Sequence, residues 1–175
     1  DHTRPNTLGP QSLASIDAAI TDAVSRKPAA IAVIGKPFIF AAGADLSGLA
    51  FLNKREQALA IGKLGHDVFR RLNECGTPTF AFINGLALGG GLEVGLHCNY
   101  RTLATTAFTG LPEVFLGLVP GWGGATILPK GQAKIVMHVS HDQSSSLGVM
   151  LHELQRKRSI SKKDLFTLRI DPYSL

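Results

Sequence analysis

Two carboxylates and two glycine-rich turns are the residues of this chain best suited to chemistry. Glu93 closes the stretch 84–93, NGLALGGGLE, and Glu113 follows 20 residues later in LPEV, each in largely apolar surroundings. A carboxylate away from water is costly unless it is paired or used. Either alone also reads as a first-turn helix acid favoured by the helix dipole. Gly89, Gly90 and Gly91 fall where a strand gives way to a helix, and the first helical N–H groups lack intrahelical partners there. Glycine at such a place either lets a ligand oxygen reach those N–H groups or makes a close-packed turn. The spacing matches neither GxGxxG nor GxxxxGK[ST], so a nucleotide-phosphate loop is excluded. A second turn, AAGAD at residues 41–45, also ends a buried strand. Two strand ends that each aim a backbone N–H at one oxygen make an oxyanion hole.

The elements that must position these groups follow from hydrophobic period. Leu13, Ile16, Ala19, Ile20, Ala23 and Val24 recur at helical spacing after Gly9-Pro10 and predict a helix over 11–25. The run 29–35, AAIAVIG, predicts a strand buried in a parallel sheet, and 36–45 passes from an apolar run into the glycine turn. Residues 56–73 predict a second long helix with Ile61, Leu64, Val68 and Leu72 on its apolar side. TFAFI at 79–83 predicts the next buried strand, and Leu92, Val94, Leu96 and Cys98 fit a buried helix after the glycines. Strand and helix alternate, which defines an α/β fold.

Other reactive residues carry less. His66, His97, His138, His141 and His152 share no HExxH or paired Cys/His spacing, so no metal site is expected. Cys75 and Cys98 read as small core or near-surface residues. Trp122, between glycines in PGWGG, either lines a ligand pocket or packs the core. Lys36 reads as a solvated lysine, with contact to a ligand phosphate as the alternative.

With 175 residues, 45% hydrophobic and 18% charged, the chain is sized for one globular domain. The net charge of +5 resides in the tail: residues 1–129 hold 10 Lys+Arg against 9 Asp+Glu, and residues 130–175 hold 8 against 4. Composition shifts at the same point, so a boundary is set at Pro129/Lys130, with 1–129 as the core and 130–175 as a divergent basic tail. The cluster Arg156-Lys157-Arg158 has no interleaved aromatic residues to stack bases, so it reads as a solvated face and no nucleic-acid partner is expected. No disulfide framework, leader pattern or apolar run of about 20 residues is present. A cytoplasmic protein without a membrane span is the expectation, and the start at Asp1 suggests a piece of something longer.

The successive stretches IFAAGADL, FINGLALGGGLEVGLHCNYR and FTGLPEVFLGLVPGWGGATILP resemble the ordered signatures of the crotonase, or enoyl-CoA hydratase/isomerase, superfamily, over roughly residues 4–129. The wording is most similar to the hydratase portion of multifunctional fatty-acid oxidation proteins. The resemblance implies a spiral of repeated ββα units, here incomplete at both ends because the first strand and the closing C-terminal helices find no match. It implies Glu93 and Glu113 as catalytic residues and Ala44 and Gly90 as oxyanion-hole donors to a thioester carbonyl. Substrate contacts are implied at Ala42, Gly43, Asp45, Leu46, Gly121 and Trp122, with Gly43 and Asp45 shaping the turn that reads the adenine of coenzyme A. The implied substrate is an acyl-CoA, coenzyme A being part of it rather than a cofactor, and the implied activity is hydration of 2-enoyl-CoA, with a shift of a 3-enoyl double bond as a related reaction. The implied partners are further copies of the chain in a homotrimer, the usual state in the family, or a dehydrogenase. Beside this stands a second expectation, a silent crotonase-like protein that binds acyl-CoA or a partner. In the tail, 149–157 is expected as a short helix and 164–170 as an extended or helical piece.

Overall fold

Pro10 starts the first helix where its missing N–H costs nothing and its fixed φ is already helical. In the computed structural model, which describes residues 6–47, 54–130, 135–137 and 165–169, this helix α1 spans Pro10–Ser25 and buries Leu13, Ile16, Ile20 and Ala23. Ser12 turns back to accept the Gly9 N–H at 2.7 Å. The buried run that follows forms β1 (Ala30–Ile34), then β2 (Ile39–Ala41).

Helix α2 (Arg55–Glu74) buries Gly65, Val68, Phe69 and Leu72. Val68 and Leu72 face inward as expected and Ile61 packs against the core, but Leu64 is 39% exposed, and Gly65 takes the inward place because the Trp122 indole lies on it. Arg71 of α2 reaches α1, bonding the Asp17 carboxylate and the Thr21 hydroxyl, the latter at 2.9 Å.

The chain continues through β3 (Thr79–Ile83), β4 (Leu86–Leu88), α3 (Gly90–His97), β5 (Tyr100–Leu103) and β6 (Phe108–Gly110). A 3-10 helix (Pro112–Leu116), α4 (Gly124–Ile127), β7 (Ile135–Met137) and β8 (Leu165–Arg169) complete the described elements. The strands sort into a five-stranded sheet, β7-β5-β3-β1-β8, and a three-stranded sheet, β2-β4-β6, parallel throughout. Each turn of chain thus lays one strand in each sheet before its helix, β1-β2-α2 and then β3-β4-α3. This is the α/β spiral of ββα units.

One core unites these layers: Leu13, Ile20, Ile31, Phe40, Phe69, Leu72, Ile83 and Val94 all lie in it. Two strands from beyond Pro129 flank the large sheet, β7 beside β5 and β8 beside β1, where Ala30 stands opposite Leu165 and Ile34 opposite Arg169. The extended piece expected at 164–170 is strand β8. The helix expected at 149–157 lies outside the described residues, as do His138, His141, His152 and the basic cluster from Arg156 to Lys163. No helix among the described residues is long and apolar enough to cross a membrane.

Candidate active site

The small sheet sets the site. Its three strands run parallel, so all three end on the same side, and in open α/β sheets ligands gather at carboxyl ends of strands. Leaving β2, the chain makes the turn 42–45; leaving β4, it reaches Gly89 and Gly90; leaving β6, it reaches Glu113.

The first two turns touch. Gly43 has φ +94°, and a Cβ there would lie 2.9 Å from the Leu88 carbonyl oxygen at the end of β4. Leu8 bridges this turn through bonds to the Gly43 carbonyl and from the Asp45 N–H, both 2.8 Å. That pattern turns the intervening Ala44 N–H to the opposite side. Gly90 is the first residue of α3, so its N–H has no intrahelical acceptor. Neither amide donates to a backbone carbonyl among the described residues.

Glu93, 2% exposed, sits in the first turn of α3. Its Oε1 accepts the Trp122 N–H at 2.9 Å and the Gly124 N–H at 2.8 Å. Burial raises its pKa and the nearby Glu113 charge adds to the rise, against the pull of those two N–H groups. Glu113, half-buried at the start of the 3-10 helix, presents Oε1 to Gly89, where a Cβ would come within 2.6 Å of it. Its Oε2 is buried with no hydrogen-bond partner among the described residues. The site therefore holds two interacting carboxylates, one with an unengaged oxygen, beside two strand-end amides. That set can move a proton on and off a reacting molecule while holding an oxyanion.

The other expected residues spread outward. Ala42 donates its N–H to the Asn6 carbonyl at 2.7 Å and stiffens the turn. Asp45 is exposed, its pKa lowered by hydrogen bonds from the Ser47 hydroxyl and amide. Leu46 and Gly121 are exposed. Trp122 is a core residue, edge-on to Phe69 with ring centroids 5.5 Å apart, its indole N–H on the Ile61 carbonyl at 3.1 Å.

One expectation needs correction. Lys36 is not solvated but 1% exposed, drawn in with a β1–β2 turn whose Lys36 carbonyl accepts from Asn84 at 2.7 Å. Gly90 meets packing as well as any ligand: its missing Cβ leaves room for the Trp122 ring, which a side chain there would strike. The run after Glu113 is apolar in sequence, and Val114, Phe115, Leu116, Leu118 and Val119 are all exposed. Sequence reasoning also missed the Trp122 and Gly124 amides as partners of Glu93. It set His97 aside with the other histidines, although that residue stands one helical turn after Glu93. Among the described residues no cluster of three or more His, Cys, Asp or Glu could hold a metal ion.

The raised Glu93 pKa has a signed consequence. The folded state holds this proton to higher pH than the unfolded chain does, so the contribution to stability is full below the ordinary glutamate value of 4.5 and is lost as pH rises through the folded pKa. Urea unfolding of the parent and of Glu93→Gln across this range is expected to show the parent losing ground to the variant as pH rises. A difference that stays constant with pH would contradict the shift.

Comparison with known proteins agrees with this geometry. The family profile described as Enoyl-CoA hydratase/isomerase matches residues 2–139. The chain belongs to the enoyl-CoA hydratase/isomerase family. It is 50% identical over 93 residues to a fatty acid oxidation complex subunit alpha of Colwellia psychrerythraea, covering 52% of this chain and 13% of that protein. It is 36% identical over 158 residues to a crotonyl-CoA hydratase of Syntrophomonas wolfei, covering 83% of this chain and 59% of that one. This family member thus spans less than two thirds of the length of these curated relatives. Among solved structures, DspI of Pseudomonas aeruginosa is 25% identical with a TM-score of 0.76, over 89% of this chain and 74% of that one. An enoyl-CoA hydratase from Thermoplasma volcanium, 22% identical with a TM-score of 0.76 over 86% and 69%, shares the fold.

Proposed function

We propose that this family member adds water across the double bond of 2-enoyl-CoA thioesters to give 3-hydroxyacyl-CoA in fatty-acid β-oxidation. The observation that carries the reading is the gathering of Glu93 and Glu113 with the Ala44 and Gly90 amides at the strand ends of one small sheet. Polarising the thioester carbonyl makes Cβ electrophilic and lets Cα carry negative charge as an enolate. The Ala44 and Gly90 amides would hold that oxygen, each such donor being worth about 3–4 kcal/mol in comparable sites. Water held between the carboxylates gives its oxygen to Cβ and Cα takes a proton, with Glu93 activating the water and Glu113 serving Cα. The two acids then behave as one coupled pair.

The oxidation-complex relatives support a place in fatty-acid oxidation. A cytoplasmic location belongs to the same proposal and is supported by two free cysteines, of which Cys98 is buried with its thiol pushed up to about 12 by burial. Self-association, as a homotrimer, is supported by Phe115 at 88% and Val119 at 73% exposure on one apolar run, since contiguous exposed apolar residues mark contact surfaces.

The test is to assay the purified chain on crotonyl-CoA while measuring its mass in solution. Turnover to 3-hydroxybutyryl-CoA in a species heavier than the monomer is expected. Tight acyl-CoA binding without turnover would overturn the hydratase reading in favour of a binding protein, and an active monomer would overturn self-association.

A further inference from the structure

His97 is one helical turn beyond Glu93 on α3, so both side chains leave the same face. Its Nε2 lies 2.7 Å from the Trp122 carbonyl oxygen. A carbonyl only accepts, so Nε2 carries the proton and the imidazole donates. The ring is 5% exposed, edge-on to His66 at 5.6 Å and tilted against Phe69 at 6.1 Å. Gly123 makes the contact feasible: with φ +126° it swings the main chain back toward α3, and any Cβ there would overlap Nε2. The short turn 122–124 is thereby tied to α3 by three main-chain groups. The Trp122 and Gly124 amides bind Glu93, and the Trp122 carbonyl binds His97.

We propose that His97 is a positioning residue for the carboxylate pair: by holding the Trp122 carbonyl it aims the Trp122 and Gly124 amides at Glu93. This keeps Glu93 Oε1 occupied as an acceptor and leaves its other oxygen clear of the turn for the reacting water. The catalytic half of the inference rests on the hydratase reading; the structural half does not.

His97→Leu keeps apolar volume but loses the donor, and His97→Gln restores an N–H at nearly the position of Nε2. His97→Asn carries the same amide on a shorter stem that falls short of the carbonyl. Amide hydrogen exchange at Trp122 and Gly124, the emission of Trp122, which is the sole tryptophan, and kcat and KM on crotonyl-CoA are the readouts. The Leu and Asn variants should exchange those two amides at least about tenfold faster and lose at least about tenfold in kcat with KM little changed, and Gln should recover both. Unchanged amide protection in folded His97→Leu, or equal behaviour of the Gln and Asn variants, would overturn the proposal. Should the Leu variant not fold, the Gln and Asn pair decides. A parent chain without hydratase turnover defeats the proposed function, while the exchange rates still decide whether His97 holds the turn.

Discussion

Replacing Glu93 with Gln is expected to lower crotonyl-CoA hydration at least about a hundredfold while acyl-CoA binding survives, and Glu113→Gln is expected to do the same. The substitution suits both sites. At Glu93 the amide carbonyl can still accept from the Trp122 and Gly124 N–H groups, so the turn keeps its anchor and what is lost is the capacity to take a proton. An alanine there would instead strand two buried donors and mix a folding defect with the chemistry. At Glu113 the oxygen removed has no protein partner among the described residues, so an amide disturbs little except the acid itself. On the proposed function, binding would rest on the Ala44 and Gly90 amides and the turn 43–46, where Asp45 and Leu46 are exposed, none of which either change touches. Single-turnover rates beside an acyl-CoA binding titration separate the two effects. Parent-rate hydration by either variant would sink the two-carboxylate mechanism.

What could be read in advance depended on whether its cause was local. Strand β3 was legible to its ends because each of its residues is buried and the run is bounded on both sides. Helix α2 was legible in extent and, at Ile61, Val68 and Leu72, in face, but not at Leu64, because the residue that takes the inward place there is a glycine whose partner, Trp122, comes from a distant loop. The small sheet was nearly invisible: its strands are three residues each, too short to show a period, and only pairing in space makes them a sheet. Glu93 was recognisable as a carboxylate in an apolar helix, but its partners are backbone amides, which leave no mark of residue type. The run from Val114 to Val119 is apolar and yet exposed. Apolar composition reports a preference for leaving water, not whether this chain or another supplies the cover.

Arg101→Met is expected to cost the fold on the order of 3–5 kcal/mol, a large share of the roughly 5–15 kcal/mol that holds a domain together. Arg101 stands on β5, 3% exposed, with its guanidinium turned to the end of α3. Nε donates to the Gly95 carbonyl at 2.7 Å and Nη2 to the Leu96 carbonyl at 2.8 Å, and Nη2 also bonds the Cys98 carbonyl. The last carbonyls of a helix have no intrahelical donors and gather its negative dipole end, so a buried cation with a planar fork satisfies both demands together. Burial lowers the Arg101 pKa, yet arginine keeps its charge at any ordinary pH, which a lysine in that place would not. Methionine preserves the apolar stem and removes the fork, leaving the Leu96 and Cys98 carbonyls without its donors and the Gly95 carbonyl with only the Cys98 N–H. Since α3 carries Gly90, Glu93 and His97, a loosened C-terminal end would reach the site through the helix itself. Urea midpoints of the parent, Arg101→Met and Arg101→Lys should fall in the order parent, Lys, Met, because lysine returns a hydrogen-bond donor but only one point of contact. A methionine variant as stable as the parent would show that these carbonyls find other donors and that the guanidinium does not cap the helix.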